Sequence, residues 1–328
     1  MTQGVETTFL DLEASTEQEI YDSIRENTKV RHLSCPVPDT LHNHILTLYT
    51  LCVFYAQLIW IETPTNPTLR IISVPTLVRI AASHPSKPLV LVDNTFLSPF
   101  FSNPIAQGAD IVLHSISKYI NGSVHTSSVS VKAVRSSDFK LTSSSPYTLC
   151  HSHSDVIMGA LIVREGREET LEGLRFLQNA SGAIPSPFDC YLTLRGIKTL
   201  ALRAFQHGLS ALRIANFLST HPLVESVTYP GLPSHRSHAE AKAALAPQVW
   251  RELKKIGWNE AVGVPFGGMV SFAIKGGGEE ADLFLQASNL FVLAESLGGV
   301  ESLAEVPDKM THAVSHPLSP SSLPSFSR

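Results

Sequence analysis

The apolar and polar residues in the first half of the chain follow strand-like and helix-like patterns in turn. Leu58–Glu62 is a short apolar run that a Thr-Pro pair ends, and Val74–Ser83 has apolar residues at helical spacing. Residues 88–93 are a continuous run of leucine and β-branched residues, typical of a strand covered on both faces. Further strands are predicted at residues 109–115 and Gly159–Val163. Strands that alternate with helices predict an α/β fold with a mostly parallel sheet.

The second half of the chain has a different pattern. A long helix is predicted over residues 189–218, and polar turn signals follow it. Short strands are then predicted at residues 267–274 and 290–294. This order predicts a smaller α+β unit behind a linking helix.

These patterns define the predicted domains. A large domain covers residues 1–185, a small domain that includes the linking helix covers residues 186–313, and a Ser- and Pro-rich tail at 314–328 is predicted to be disordered. Two stretches of the large domain, at about 31–57 and 123–152, do not fit their neighbours. Loops of this length are uncommon inside a domain.

Composition narrows the class of protein. A chain of 328 residues, 43% hydrophobic and 16% charged, can bury a sizeable core, so global disorder is not expected. The formal charge of −4 gives no basic excess for binding nucleic acid or an anionic membrane. The start shows no secretory signal and the four cysteines lack CxxC spacing, so we expect a cytoplasmic protein with free thiols.

One segment leaves an alternative open. Residues 45–61 carry no charge and reach the lower limit of a membrane span. A buried strand fused to an apolar stretch explains the same residues, and we favour that interpretation. Histidine and cysteine groups in the two unusual stretches form no recognised ligand set, so no metal site is predicted.

Four side chains near predicted strand ends can carry chemistry. Asp93 ends one strand, and Ser115, Ser117 and Lys118 lie at the end of the next, where parallel sheets bind ligands. A buried carboxylate can keep a ring nitrogen protonated, and a lysine can condense with an aldehyde. Pyridoxal phosphate needs both roles, and the two hydroxyls can bind its phosphate. Taken alone, a Ser-x-Ser-Lys sequence is more often a surface loop.

Longer sequence strings favour a cofactor site over a surface loop. They are IETPTNPTLRI at 61–71, LVDNTFLSPF at 91–100 and GADIVLHSISKYING at 108–122, with further matches at 177–203 and 294–313. In these strings the chain resembles the transsulfuration, or Cys/Met-metabolism, family of pyridoxal-phosphate enzymes, most closely its γ-lyase branch.

The resemblance implies the fold of type I PLP-dependent transferases and pyridoxal 5'-phosphate as cofactor. Lys118 would tether the cofactor and move substrate protons. Asp93 would pair with the pyridine nitrogen, and Asn66 would contact the phenolic oxygen. Ser115 and Ser117 would bind the phosphate.

The resemblance also implies an amino-acid substrate. Ser296 would lie near the substrate carboxylate, and Glu295 is the residue type of the γ-cleaving and γ-synthesising branches. The implied reaction is γ-elimination of L-cystathionine to cysteine, 2-oxobutanoate and ammonia. Cystathionine γ-synthase, methionine γ-lyase, a β-lyase and a catalytically inactive relative are the alternatives.

The chain departs from the family pattern in several places. The family's N-terminal segment and C-terminal arginine region have no counterpart, so the chain looks incomplete at both ends. The family forms homotetramers, and we expect poor assembly here. Residues 31–57 and 123–152 look like insertions. Our hypothesis is that they are translated introns, since Val30 fits a junction that begins with GT and Gln57 one that ends in CAG.

Overall fold

A computed structural model describes most of the chain outside the ends and the two predicted insertions. The described residues are 12, 15–24, 31–33, 58–122, 129–131, 155–299 and 301–307. The predicted tail and residues 45–57 of the alternative membrane span lie outside them.

Strands and helices follow one another along the described chain. In chain order they are α1 (Glu17–Ser23), β1 (Arg31–Leu33), β2 (Leu58–Glu62), α2 (Val74–Ser83), β3 (Leu89–Asp93), α3 (Ser98–Phe101), β4 (Ile111–Ser115), β5 (Val129–Val131), β6 (Gly159–Val163), α4 (Glu168–Ser181), α5 (Pro187–Ile197), α6 (Leu200–Ser219), β7 (Val224–Thr228), α7 (His238–Ala244), α8 (Pro247–Lys255), β8 (Val270–Ile274), α9 (Gly278–Ala287), β9 (Phe291–Leu293) and β10 (Ser302–Ala304). A π-helical turn, Ile116–Ile120, follows β4 directly.

The largest sheet carries the candidate site. Its strand order is β1-β2-β3-β4-β6, with β1 to β4 parallel and β6 antiparallel to β4. In this register Glu62 lies opposite Asp93, and Asp93 lies opposite Leu113. The carboxyl ends of β2, β3 and β4 therefore meet at one edge, the usual ligand-binding edge of such a sheet.

Alternating side chains anchor this sheet on both faces. On one face Ile61 and Val92, both fully buried, pack with Leu77 of α2 and with α1. On the other face Trp60 and Leu91 form a smaller cluster. Burial of each such side chain contributes about 1.5–3 kcal/mol, so the strand ends are held on a stable framework.

A second core surrounds α6. The strands β5, β8 and β7 form a three-stranded sheet, and β9 and β10 form a parallel pair. Buried residues of α6 such as Leu212 join one hydrophobic cluster with Phe101, Val249 and Phe272. The predicted α/β arrangement is thus confirmed, and the domain boundaries stay a prediction.

The prediction of one continuous helix over residues 189–218 is wrong. The structure has two helices, α5 and α6, that are separated at Lys198 and Thr199. The carbonyl of Gly196 accepts bonds from the Thr199 amide at 3.2 Å and from Arg203 Nη2 at 2.9 Å. These bonds divert the carbonyl from regular helical pairing, which residue spacing alone does not reveal.

Two short pieces of the predicted insertions pair with core strands. Residues 31–33 form β1 beside β2, and residues 129–131 form β5 beside β8. The remaining 58–61 portion of the alternative membrane span lies in β2. In the part of the chain that the structure describes, no helix has the length and apolar character that crossing a bilayer requires.

Candidate active site

A cavity of about 500 Å³ opens at the carboxyl ends of β2, β3 and β4. This volume lies in the range of small-molecule sites. All the site residues predicted from sequence line it except Ser117. Its lining is formed by Glu62, Pro64, Asn66, Asp93, Thr95, Phe96, Ser115, Lys118, Met269, Glu295, Ser296, Leu297 and Glu305.

Lys118 projects into this cavity from the π-helical turn. The turn departs from helical geometry at Lys118 itself, where φ is −94° and ψ is −125°. The Lys118 Nζ donates a hydrogen bond to Ser296 Oγ at 2.8 Å. Burial lowers the pKa of Lys118, while the nearby charges of Glu295 and Glu305 act in the opposite direction. More of the amine is therefore neutral at a given pH than in an exposed lysine, as a nucleophile or base requires.

The segment that presents Ser296 is pressed against the lysine turn. Ser296 has φ of 143°, a conformation that a residue with a Cβ rarely adopts. Gly298 has φ of 75°, and a Cβ there would lie 2.5 Å from the Tyr119 amide nitrogen. The hydroxyl that receives the lysine bond is thus fixed by a strained and closely packed backbone.

Asp93 ends β3 and also lines the cavity. Its Oδ1 accepts a bond from the Thr95 amide at 3.0 Å, and the Thr95 Oγ1 accepts one from the Ser115 amide at 2.9 Å. Burial raises the pKa of Asp93 despite the bonds from Thr95. A cation placed beside this carboxylate would lower its pKa again, because the two charges would stabilise each other.

Sequence reasoning missed Glu62, the last residue of β2. Burial, and then the nearby Asp93, raise the pKa of Glu62 to about 7, while a bond from the Asn66 amide acts in the opposite direction. The signal was available, since Glu62 ends its strand as Asp93 ends the next one. Thr95, Met269 and Glu305 were also missed, and their places depend on packing rather than on a local pattern.

The two predicted phosphate-binding serines differ in placement. Ser115 lines the cavity. Ser117 lies outside the lining, and its Oγ accepts a bond from the Met158 amide at 3.0 Å. The bond holds the π-helical turn to the segment before β6. The role of Ser117 toward a phosphate stays a prediction.

Comparison with known proteins assigns the chain to a family. Residues 48–148 and 136–320 match the family described as Cys/Met metabolism PLP-dependent enzyme. The chain belongs to this family. Its membership confirms the resemblance seen in the sequence strings, and it confirms pyridoxal phosphate as the family's cofactor.

The Cys/Met-metabolism relatives include both lyases and synthases. The chain is 43% identical over 257 residues to a cystathionine gamma-lyase of Dictyostelium discoideum, covering 78% of this chain and 53% of the relative. It is 42% identical over 257 residues to a cystathionine gamma-synthase of Mycobacterium leprae, with the same coverage. The chain spans about half the length of these curated relatives. The two reactions are therefore not separated by similarity.

A solved structure confirms the fold. The crystal structure of cystathionine gamma-lyase from yeast superposes with a TM-score of 0.65 at 37% identity, over 92% of this chain and 58% of that one. The fold predicted from sequence, that of PLP-dependent transferases, is thus confirmed.

The described side chains fit the family's cofactor. Pyridoxal phosphate presents an aldehyde, a basic ring nitrogen and a phosphate. The cavity offers an amine of lowered pKa on Lys118 and a partly buried carboxylate on Asp93. These are the two groups that an aldehyde and a protonated ring nitrogen require.

Proposed function

We propose that the cavity binds pyridoxal phosphate through Lys118 and Asp93, and that the protein cleaves L-cystathionine. In this reaction cystathionine and one water give cysteine, 2-oxobutanoate and ammonia. The observation that carries the proposal is the pairing, in one cavity, of an amine with a carboxylate, both partly buried. The relatives named cystathionine gamma-lyase support the choice of substrate.

The residues of the chain have separate tasks in this proposal. When bound, the cofactor supplies an electron sink for the carbons next to the substrate nitrogen. Lys118 takes protons from the substrate α and β carbons and returns them, which its lowered pKa favours. Ser296 Oγ, 2.8 Å from Lys118 Nζ, aims the amine. Asp93 stabilises positive charge on the ring nitrogen.

The acidic side of the cavity supports a substrate with a second ammonium group. Glu295 and Glu305 line the cavity and act electrostatically on Lys118. L-Cystathionine carries an ammonium group beyond its sulfur, and a carboxylate pairs well with such a group. We propose that one of these two glutamates contacts it.

Absorbance tests the proposal first. The purified chain with pyridoxal phosphate is expected to show the visible band of lysine-bound cofactor. Borohydride should then fix the cofactor mass on the peptide that contains Lys118. The Lys118→Ala variant should lose both signals, while Lys275→Ala, at an exposed position, should keep them. A wild-type protein that stays colourless with excess cofactor contradicts the proposal and supports an inactive relative.

Product analysis separates the lyase from the second candidate, cystathionine γ-synthase. The synthase is supported by the relative from Mycobacterium leprae. A lyase releases 2-oxobutanoate and a thiol from cystathionine, whereas a synthase consumes cysteine and forms cystathionine. Coupled assays in the two directions on one protein sample decide between them.

A further inference from the structure

We propose that Arg203 is a positioning residue for Lys118, because its guanidinium holds the turn that carries the lysine. The effect of Arg203 on catalysis rests on the proposed function, whereas its effect on the position of Lys118 does not. The guanidinium contacts the chain immediately after Lys118. Arg203 is 2% exposed on α6, and it donates to the Tyr119 carbonyl at 2.7 Å and to the Ile120 carbonyl at 3.3 Å.

The other side of the guanidinium is fixed as well. Its Nε donates to Thr199 Oγ1 at 2.9 Å, and its Nη2 also donates to the Gly196 carbonyl at 2.9 Å. Arg203 therefore joins the α5–α6 junction to the lysine turn. Four acceptors around one planar fork match an arginine and cannot all be reached by a lysine.

Two glycines allow this close packing, and a larger residue at either position would clash with its neighbours. A Cβ on Gly122 would lie 1.9 Å from Arg203 Nη1, and a Cβ on Gly196 would lie 2.0 Å from the Asn121 carbonyl oxygen. The turn and the helix junction are thus in direct contact. A buried guanidinium is costly unless its donors are bonded, and the bonds of Arg203 end on the backbone beside the proposed catalytic amine.

Loss of the guanidinium should act on Lys118 through the turn. The Asn121 amide donates to the Ile116 carbonyl and the Gly122 amide to the Lys118 carbonyl, each at 2.9 Å. With the Tyr119 and Ile120 carbonyls released, this turn can shift and carry the amine away from Ser296. A misplacement of about 1 Å lowers catalytic rates by about 10²-fold.

The test compares Arg203→Lys with Arg213→Lys, a matched change at an exposed position of the same helix. Without cofactor, Arg203→Lys should speed hydrogen exchange of the peptide 116–122 about tenfold or more, while core peptides of β2 and β3 keep their protection. The pH midpoint for acetylation of the Lys118 amine should rise toward that of an exposed lysine. With cofactor and substrate, kcat should fall by about 10²-fold and KM should change less. Arg213→Lys should match wild type throughout.

The outcomes are distinguishable. Unchanged exchange and unchanged Lys118 acetylation in Arg203→Lys overturn the inference, as does faster exchange spread evenly over the chain. If Arg203→Lys does not fold, Thr199→Val removes one fixing bond, and a smaller increase confined to the peptide 116–122 is then required. A wild-type chain that binds no cofactor contradicts the proposed function, yet exchange and acetylation still decide the role of Arg203.

Discussion

Two groups of residues that line the cavity are held by different kinds of interaction. We call Glu62 and Asp93 the sheet wall, and Lys118 and Ser296 the turn wall. On the sheet wall, Glu62 and Asp93 are direct neighbours in the ladder between two buried strands. On the turn wall, Lys118 and Ser296 are 178 residues apart in sequence and are joined by one side-chain bond. Backbone pairing fixes the positions of Glu62 and Asp93, whereas close tertiary packing positions the Lys118 amine.

This difference predicts how each wall responds to substitution. A conservative change on the sheet wall alters charge and leaves position intact, because the strand backbone is held by its ladder and its buried faces. A change on the turn wall alters position, because Gly298 and Arg203 contact the lysine turn directly. Charge variants should therefore test the first wall and geometry variants the second.

Replacement of Asp93 by Asn should have the largest effect. The side chain keeps its size and can keep its bond from Thr95, but it no longer carries the charge that a protonated ring nitrogen needs. We expect kcat/KM for cystathionine cleavage to fall by about 10³-fold. Steady-state release of 2-oxobutanoate measures this effect. The exposed Asp22→Asn serves as control, and an Asp93→Asn enzyme within threefold of wild type would contradict the assigned role.

Glu62→Gln should change the pH dependence of stability. The pKa of Glu62 is raised to about 7 from 4.5, so the folded protein binds more protons than the unfolded chain between these values. Rising pH through this window should lower the free energy of unfolding of wild type by up to about 3 kcal/mol. The variant should lose this component, although Asp93 adds a decrease of the same sign.

Urea unfolding at pH 5, 6, 7 and 8 measures the Glu62 effect. Glu279→Gln, at an exposed position of α9, should retain the wild-type slope. Equal slopes for Glu62→Gln and wild type would show that Glu62 titrates as an ordinary exposed carboxyl group.

Two substitutions of Ser296 separate its hydroxyl from its backbone. Both Ser296→Ala and Ser296→Gly remove the acceptor for Lys118 Nζ, so each should lower kcat/KM by about tenfold. Only glycine relieves the strain at φ of 143°, and it should raise the free energy of unfolding by about 1 kcal/mol relative to alanine. Thermal and urea unfolding of the pair check this. A more stable alanine variant would be inconsistent with the strained backbone.

Sequence alone predicted the local elements around the site better than the long-range contacts within it. The strand β2, the helix α2 and the strand β6 were predicted with their observed bounds, because their apolar runs are local and end in clear turn signals. Asp93 and Lys118 followed from positions at strand ends. Glu62 ends β2 in the same way, so the same reasoning would have found it.

The turn wall depends on contacts that no local pattern encodes. Glu305 lines the cavity from the residue directly after β10, far along the chain from Lys118. The break between α5 and α6 depends on Arg203 and Gly196, whose importance appears only when the lysine turn packs against them. Local patterns therefore did not predict these partners, and Ser296 and Glu295 were expected at the site only from the family resemblance.

The smallest effect is expected from Ser117→Ala, and it is best measured beside Ser115→Ala. Ser115 lines the cavity, so loss of its hydroxyl should weaken cofactor binding by about tenfold if it contacts the phosphate. Ser117 bonds to the Met158 amide instead, so its loss should lower stability by about 1 kcal/mol and change cofactor affinity less than threefold. Cofactor titration and urea unfolding of the two variants give both quantities. If Ser117→Ala weakens cofactor binding as much as Ser115→Ala does, then the Ser117 hydroxyl also takes part in cofactor binding, since it can donate to the phosphate while it accepts from the Met158 amide.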